Sequence, residues 1–196
     1  MFDESPVTLF SRCHGVGIDL EAQVKAGLVE LVSVDPAEFS PGELASKIRE
    51  AVEQRGIKIV TIDSLNGYLN AMPEERFLII QLHEILMYLA QQGVATILIG
   101  ANHGIIGSQM SAPVDASYLA DAVILLRYFE AGGEVRQAIS VVKKRGGVHE
   151  RTIREYSMTG GRITVGEALR KFRGILTGVP VYEGASEPLL GDDRAQ

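Results

Sequence analysis

Apolar positions follow a helical period through two long stretches, each leading into a strand-length apolar run, and they switch to short strand-like runs after Gly104. Ser40 has the form of a helix cap, with Pro41 at the first helical position and Glu43 three residues after the cap. Leu44, Ile48 and Val52 then recur on one face, and Gly56 is placed to end the helix. The strand Ile57–Asp63 is expected next. Pro73 opens a second helix with Leu78, Leu82, Ile85 and Leu89 on one side and Gly93 as its stop. Val94–Ala101 is almost unbroken in its apolar character, as expected of a strand covered on both faces. Ahead of these, Thr8–Val16 and Ile18–Ala26 read as short helices, Leu28–Val34 as a short strand, and Met1–Ser5 as the end of a strand.

Alternation of strands with helices of this length implies right-handed parallel crossovers and an α/β sheet. Beyond Gly104, Ala122–Glu130, Val135–Lys143, Thr152–Ser157 and Arg162–Val165 read as strands. They are joined through Gly132-Gly133, Gly146-Gly147 and Gly160-Gly161. Such connections make hairpins, so the sheet is expected to finish antiparallel. The polar, acidic stretch from 181 to 196 reads as a flexible tail behind a domain spanning 1–180.

Composition narrows the class. The 196 residues, 46% hydrophobic and 22% charged, suit one soluble globular domain with a proper core. A net charge of −6 argues against a protein that coats nucleic acid. The single Cys13 excludes an internal disulfide framework and points to a reducing compartment. No apolar run approaches the roughly 20 residues of a membrane span, and no signal peptide is visible. A cytoplasmic location is the expectation.

Candidate chemistry centres on the run Ile57–Asn66, an apolar strand that ends in Asp63. An acid at a strand's carboxyl end can face a magnesium–phosphate group, or simply cap the following turn. Its usual companion is a G-x-x-x-x-G-K-[S/T] loop that cradles phosphates. The sequence contains none; the nearest glycine cluster, Gly100–Gly107, lacks the Lys-Ser or Lys-Thr pair. Asp3 and Glu4 form a second strand-end acidic pair, able to polarise an attacking water or to be a solvated terminus. Lys143, Lys144, Arg145, His149 and Arg151 cluster around a glycine turn. Lys143 and Arg145, two apart at a strand end, fall on one side of the chain and suit a phosphate chain. An exposed basic loop is the plainer reading. His14, His83, His103 and His149 show no metal-ligand spacing, and no G-x-S-x-G is present.

These segments together resemble the KaiC-like family of RecA-superfamily ATPases, across about Phe2 to Tyr182. The most specific pieces are IVTIDSLNGYLNAMPEERF, ILLRYFEAGGEVRQAISVVKKRGGVHERTIREY and GILTGVPVY. The resemblance implies an α/β, RecA-like P-loop NTPase core with a mixed sheet, using ATP and Mg at subunit boundaries of a ring, expected to be a hexamer. It implies Asp63 as the Walker B acid, reaching magnesium through water. Asp3 and Glu4 match the family's tandem catalytic glutamates, with Asp3 a shorter substitute for the first. Lys143 and Arg145 match the pair projected onto a neighbour's γ-phosphate, with Lys144, Gly147, His149 and Arg151 on the same nucleotide-facing loop. Ser117 falls near the serine and threonine that the clock kinase autophosphorylates, although Tyr118 follows it, and Val16 stands where the kinase has an aromatic residue.

The family places a strand, a phosphate loop and a helix before the segment at which this chain begins. That strand lies between the strands expected at Val94–Ala101 and Ala122–Glu130. Its loss leaves two inner edges unpaired, at about 1–3 kcal/mol for each buried unsatisfied group, against a net domain stability of about 5–15 kcal/mol. The chain is therefore expected to be a fragment, or a domain completed by another chain, and alone to self-associate through those two edges. The alternative reading is a non-catalytic, degenerate RecA-like module that docks on a ring or a signalling partner.

Overall fold

In a computed structural model of the protein, the residues described are 1–2, 4–35, 40–70, 75–100, 118–177 and 179–184. They separate into two compact units, one holding α1–α5 with β1 and β2, the other most of the strands from β3 onward.

In the first unit, α1 (Pro6–Gly15) starts where Ser5 accepts from the Thr8 amide, and Pro6 takes a position whose N–H needs no partner. α2 (Leu20–Lys25) starts at Asp19, which caps the Ala22 amide. α3 (Pro41–Arg55) carries the complete capping box of Ser40 and Glu43. The Ser40 contacts hold the Glu43 carboxyl below its ordinary pKa. α3 ends at Gly56, whose φ of 68° is left-handed. β1 (Ile59–Asp63) is followed by α4 (Leu65–Asn70), α5 (Glu75–Gln91) and β2 (Ala95–Ile99), and β1 and β2 pair in parallel with Asp63 opposite Ile99. α5 lays Leu78, Leu82, Ile85 and Leu89 into a core with Val52 of α3, Ile62 of β1 and Val94. Tyr88 donates to Glu53 at 2.9 Å and lies beneath Arg49, which fastens α5 to α3.

Two strand expectations are corrected here. Leu28–Val34 forms no regular strand. Its pairing partner is the start of the chain, where the Met1 amino group donates to the Val32 carbonyl and Met1 accepts from the Val34 amide, both at 2.8 Å. β2 is not covered on both faces: Leu98 packs on the core, but Ile97 and Ile99 are exposed.

The second unit is a four-stranded sheet in the order β3 (Ala122–Ala131), β4 (Glu134–Lys144), β5 (Arg154–Thr159), β6 (Arg162–Ala168). β3 pairs antiparallel with β4, and β4 with β5, as the glycine turns imply. β7 (Phe172–Arg173) and β8 (Val181–Tyr182) add a short antiparallel pair, so the stretch read as a tail contributes a strand at its start. Among the described residues of this unit the buried hydrophobic ones are Phe129, Ala138 and Ile175, with Phe172 edge-on to Phe129. Together the described residues give an α/β fold with parallel and antiparallel sheets. No described helix is long and apolar enough to cross a membrane.

Candidate functional site

Asp63 ends β1 half-buried, and its peptide bond to Ser64 is cis. Its carbonyl accepts from the Phe2 amide at 2.9 Å, and Phe2 packs edge-on against buried Tyr68 at 5.7 Å. The start of the chain is thereby anchored beside the carboxyl end of β1, with Glu4 two residues further on. Glu4 pairs with Arg12 of α1 at 2.8 Å; the carboxylate is largely covered and the guanidinium mostly exposed. Asp3 lies outside the described residues. Two polar residues after Asp63 are buried, Ser64 and Asn66. The Ser64 hydroxyl accepts from the Gly67 amide at 3.0 Å and so caps α4, a helix that the sequence reading missed.

Among the described residues no three His, Cys, Asp or Glu side chains gather to hold a metal ion. A half-buried carboxylate at a strand end fits magnesium as it is commonly bound, by one or two carboxylates with waters and phosphate oxygens completing the octahedron.

The basic cluster lies in the second unit, and a register shift shapes it. From the Gly132-Gly133 turn, the β3–β4 pairing runs regularly to Ile124 opposite Val141, then slips by one residue so that Val123 faces Lys143 and Ala122 faces Lys144. Directly opposed residues share a face, and one residue of slip moves every later side chain to the other face. The bulge thus turns Lys143 away from the face of Ile139 and Val141, onto the face of Val123, Leu125 and Ser140. It also sets Arg145 opposite Asp121: the Arg145 amide donates to the Asp121 carbonyl at 2.7 Å, and the guanidinium pairs with the Asp121 carboxylate at 3.0 Å. Lys143 is half-buried and Arg145 exposed.

The remaining members surround the turn. Lys144 reaches the Val148 carbonyl at 3.5 Å, and Gly147, at φ 73°, makes the left-handed turn. His149 is half-buried and Arg151 exposed. Glu150 accepts from the Thr152 amide at 2.9 Å and from Arg154 at 3.2 Å. The Thr152 contact first, and then Arg154, bring its carboxyl down to about 2. These bonds fix the strand that leaves the basic loop.

The structure therefore brings Lys143, Lys144, Arg145, Gly147, His149 and Arg151 together at one hairpin end; Glu4 follows two residues after Phe2, whose amide bonds the Asp63 carbonyl. Sequence reasoning missed Arg12 and Asp121, the partners of Glu4 and Arg145. Hairpin register alone points near Asp121 but misses the bulge that selects Arg145 over Lys144. Nothing in the sequence singles out Arg12 within α1. Ser117 lies outside the described residues.

The chain is 28% identical over 188 residues to the circadian clock protein KaiC3 of Synechocystis sp., covering 95% of this chain and 37% of that protein. It is 25% identical to the circadian clock oscillator protein KaiC of Acaryochloris marina, covering 95% and 35%. The chain thus spans little more than a third of the length of these relatives. A crystal structure of a KaiC-like protein from Pyrococcus horikoshii OT3 superposes with a TM-score of 0.73 at 23% identity, covering 85% of this chain and 73% of that one, which shows the same fold. The family model for the KaiC ATPase matches residues 1–170, and the chain belongs to that family.

Proposed function

We propose that this chain is part of a KaiC-like ATPase subunit that acts at subunit boundaries of a ring, a hexamer by analogy with the family. The observation that carries the reading is the hairpin end at which Lys143 and Arg145 share one face. Two cations at alternate positions can meet two oxygens of one phosphate group, the guanidinium in bidentate fashion. In this reading they reach the γ-phosphate of ATP held by the neighbouring subunit, and Arg145 exchanges Asp121 for phosphate as the nucleotide arrives. The Asp121 pair keeps Arg145 extended until then. Lys144, Gly147, His149 and Arg151 shape the loop that faces the nucleotide.

On the other side of the reaction, Asp63 would hold magnesium through water, and bound magnesium would neutralise charge on the phosphate oxygens. Glu4, assisted by Asp3, accepts a hydrogen bond from the attacking water and draws off its proton. Arg12 holds the Glu4 carboxylate in place. The proposal is confined to hydrolysis; Tyr118 after Ser117 leaves the serine–threonine pair of the clock kinase incomplete.

Fingers supplied across a boundary are worth roughly 10³–10⁵ in rate in GTPases. Mixing this chain with a full-length family member whose own finger residues are mutated should restore ATP hydrolysis. The Lys143→Ala/Arg145→Ala double variant should not. Equal rescue by the double variant, or none by the wild type, would sink the reading.

A further inference from the structure

The second unit holds a cavity of about 830 Å³ between the Gly132 end of the β3–β4 hairpin and the β7–β8 pair. Sites for small organic ligands span about 300–1,000 Å³. Two cations and two aromatic rings line this one: Arg136, Lys171, Phe172 and Tyr182. Arg136 stands opposite Phe129, so the two share a face of the sheet, and Phe172 packs edge-on against Phe129. The Phe172 and Tyr182 rings lie 5.1 Å apart at a tilt of 53°. Gly184 passes so close to the Tyr182 ring that a Cβ there would collide with it. Tyr182 is thus held between two neighbours yet stays 48% exposed. Arg136 meets Glu134 at 3.4 Å and Glu155 at 3.6 Å, both longer than a close charge-assisted bond of about 2.7–2.9 Å. Its guanidinium therefore keeps donors for another acceptor. Lys171 is exposed. Glu130 also borders the cavity, but it alternates with Phe129 and Ala131 and so directs its side chain to the other face.

We propose that this cavity binds a nucleoside phosphate, at a site separate from the hairpin end that carries Lys143. Charge selects the anion. Two cations line one cavity, and a phosphate monoester carries about −1.5 to −2 at neutral pH, where a carboxylate carries a single charge. Arg136 offers the planar fork that meets two phosphate oxygens at once, and Lys171 adds a point charge. The rings select the other half of the ligand. A base has a flat face that stacks on Tyr182, which Phe172 supports from behind. Inorganic phosphate would leave both rings uncovered, and the volume leaves room for a sugar between base and phosphate. Val123, which faces Lys143, lies six residues along β3 from Phe129, on the order of 20 Å away. Binding here needs neither a neighbouring subunit nor Asp63.

The test is isothermal titration of the 196-residue chain with AMP, and with adenosine and inorganic phosphate as its two halves. AMP should bind more tightly than either half. Tyr182→Ala should weaken AMP about ten-fold, within the range that stacking of one base on an aromatic ring supplies. Lys171→Gln, at an exposed position, should weaken AMP by about the same factor and flatten its dependence on salt, with adenosine unaffected. Lys143→Ala/Arg145→Ala should bind AMP as the wild type does, whether or not those two residues act on a neighbour's nucleotide. A chain that does not bind AMP overturns the proposal, as does binding of phosphate or adenosine equal to that of AMP. AMP binding that neither Tyr182→Ala nor Lys171→Gln weakens, or that the Lys143→Ala/Arg145→Ala variant loses, overturns it too.

Discussion

The unit built on β1 and β2 packs helices on one face of its parallel strand pair, so that Leu78, Leu82, Ile85 and Leu89 from α5 meet Val52, Ile62 and Tyr68 in one core. The hairpin unit has no described helix to set against its sheet, and its described buried hydrophobic residues are Phe129, Ala138 and Ile175. Its strands are no less apolar. Ile124, Leu126, Val135, Ile163 and Val165 simply lie exposed. Identical β-prone chemistry is thus buried in one region and exposed in the other, and the difference is whether described helices cover the face.

The largest effect tests whether the units are independent. Phe129→Ala removes a wholly buried ring from a core of three residues and should cost about 3–5 kcal/mol. Exchange protection should be lost across β3 and β4 and kept across β1, β2 and α5. Loss of both together would break the comparison. Leu89→Ala, at 0% exposure, should cost about 2–5 kcal/mol and unfold the helical unit first, read by urea titration. Removal of the exposed Ile163 side chain by Ile163→Ala should change stability by no more than about 0.5 kcal/mol.

A smaller effect concerns the helices that only the first unit possesses. Ser40→Ala breaks the capping box and should lower stability by ~1 kcal/mol, seen as a lower urea midpoint with an unchanged slope.

The smallest effect is one of pH. Glu150 has its carboxyl lowered in the folded chain to about 2, from an ordinary 4.5, by Thr152 and Arg154. A depressed carboxylate adds stability above its unfolded value, and that stability fades as pH falls through the folded one. Glu150→Gln should therefore lower the melting temperature slightly at pH 7. The gap from wild type should close between about pH 4.5 and about pH 2. A gap that persists in acid would show that the side chain acts through something other than its charge.

Much of the fold was legible from local rules. The bounds of α3 follow from Ser40, Pro41, Glu43 and Gly56, each acting within a turn of itself. Asp63 was placed at a strand end by its apolar run, and the hairpins by their glycine pairs, because turn chemistry is local. The family was legible as well, from the runs around Asp63 and Lys143. α4 was missed: its signal is the lone Ser64, without the acidic residue that completes a capping box.

What only the tertiary structure decided shares one cause, contact between residues distant in sequence. Met1 and Phe2 lie between Val32–Val34 and Asp63, which anchors Glu4 near the strand-end acid. The exposure of Ile97 and Ile99 depends on what else covers β2, and no periodicity within Val94–Ala101 encodes that. The bulge at Val123 and Ile124 chooses which cations share a face and which of them Asp121 holds. A slip of one residue leaves composition and alternation intact, yet it reverses every side chain beyond it.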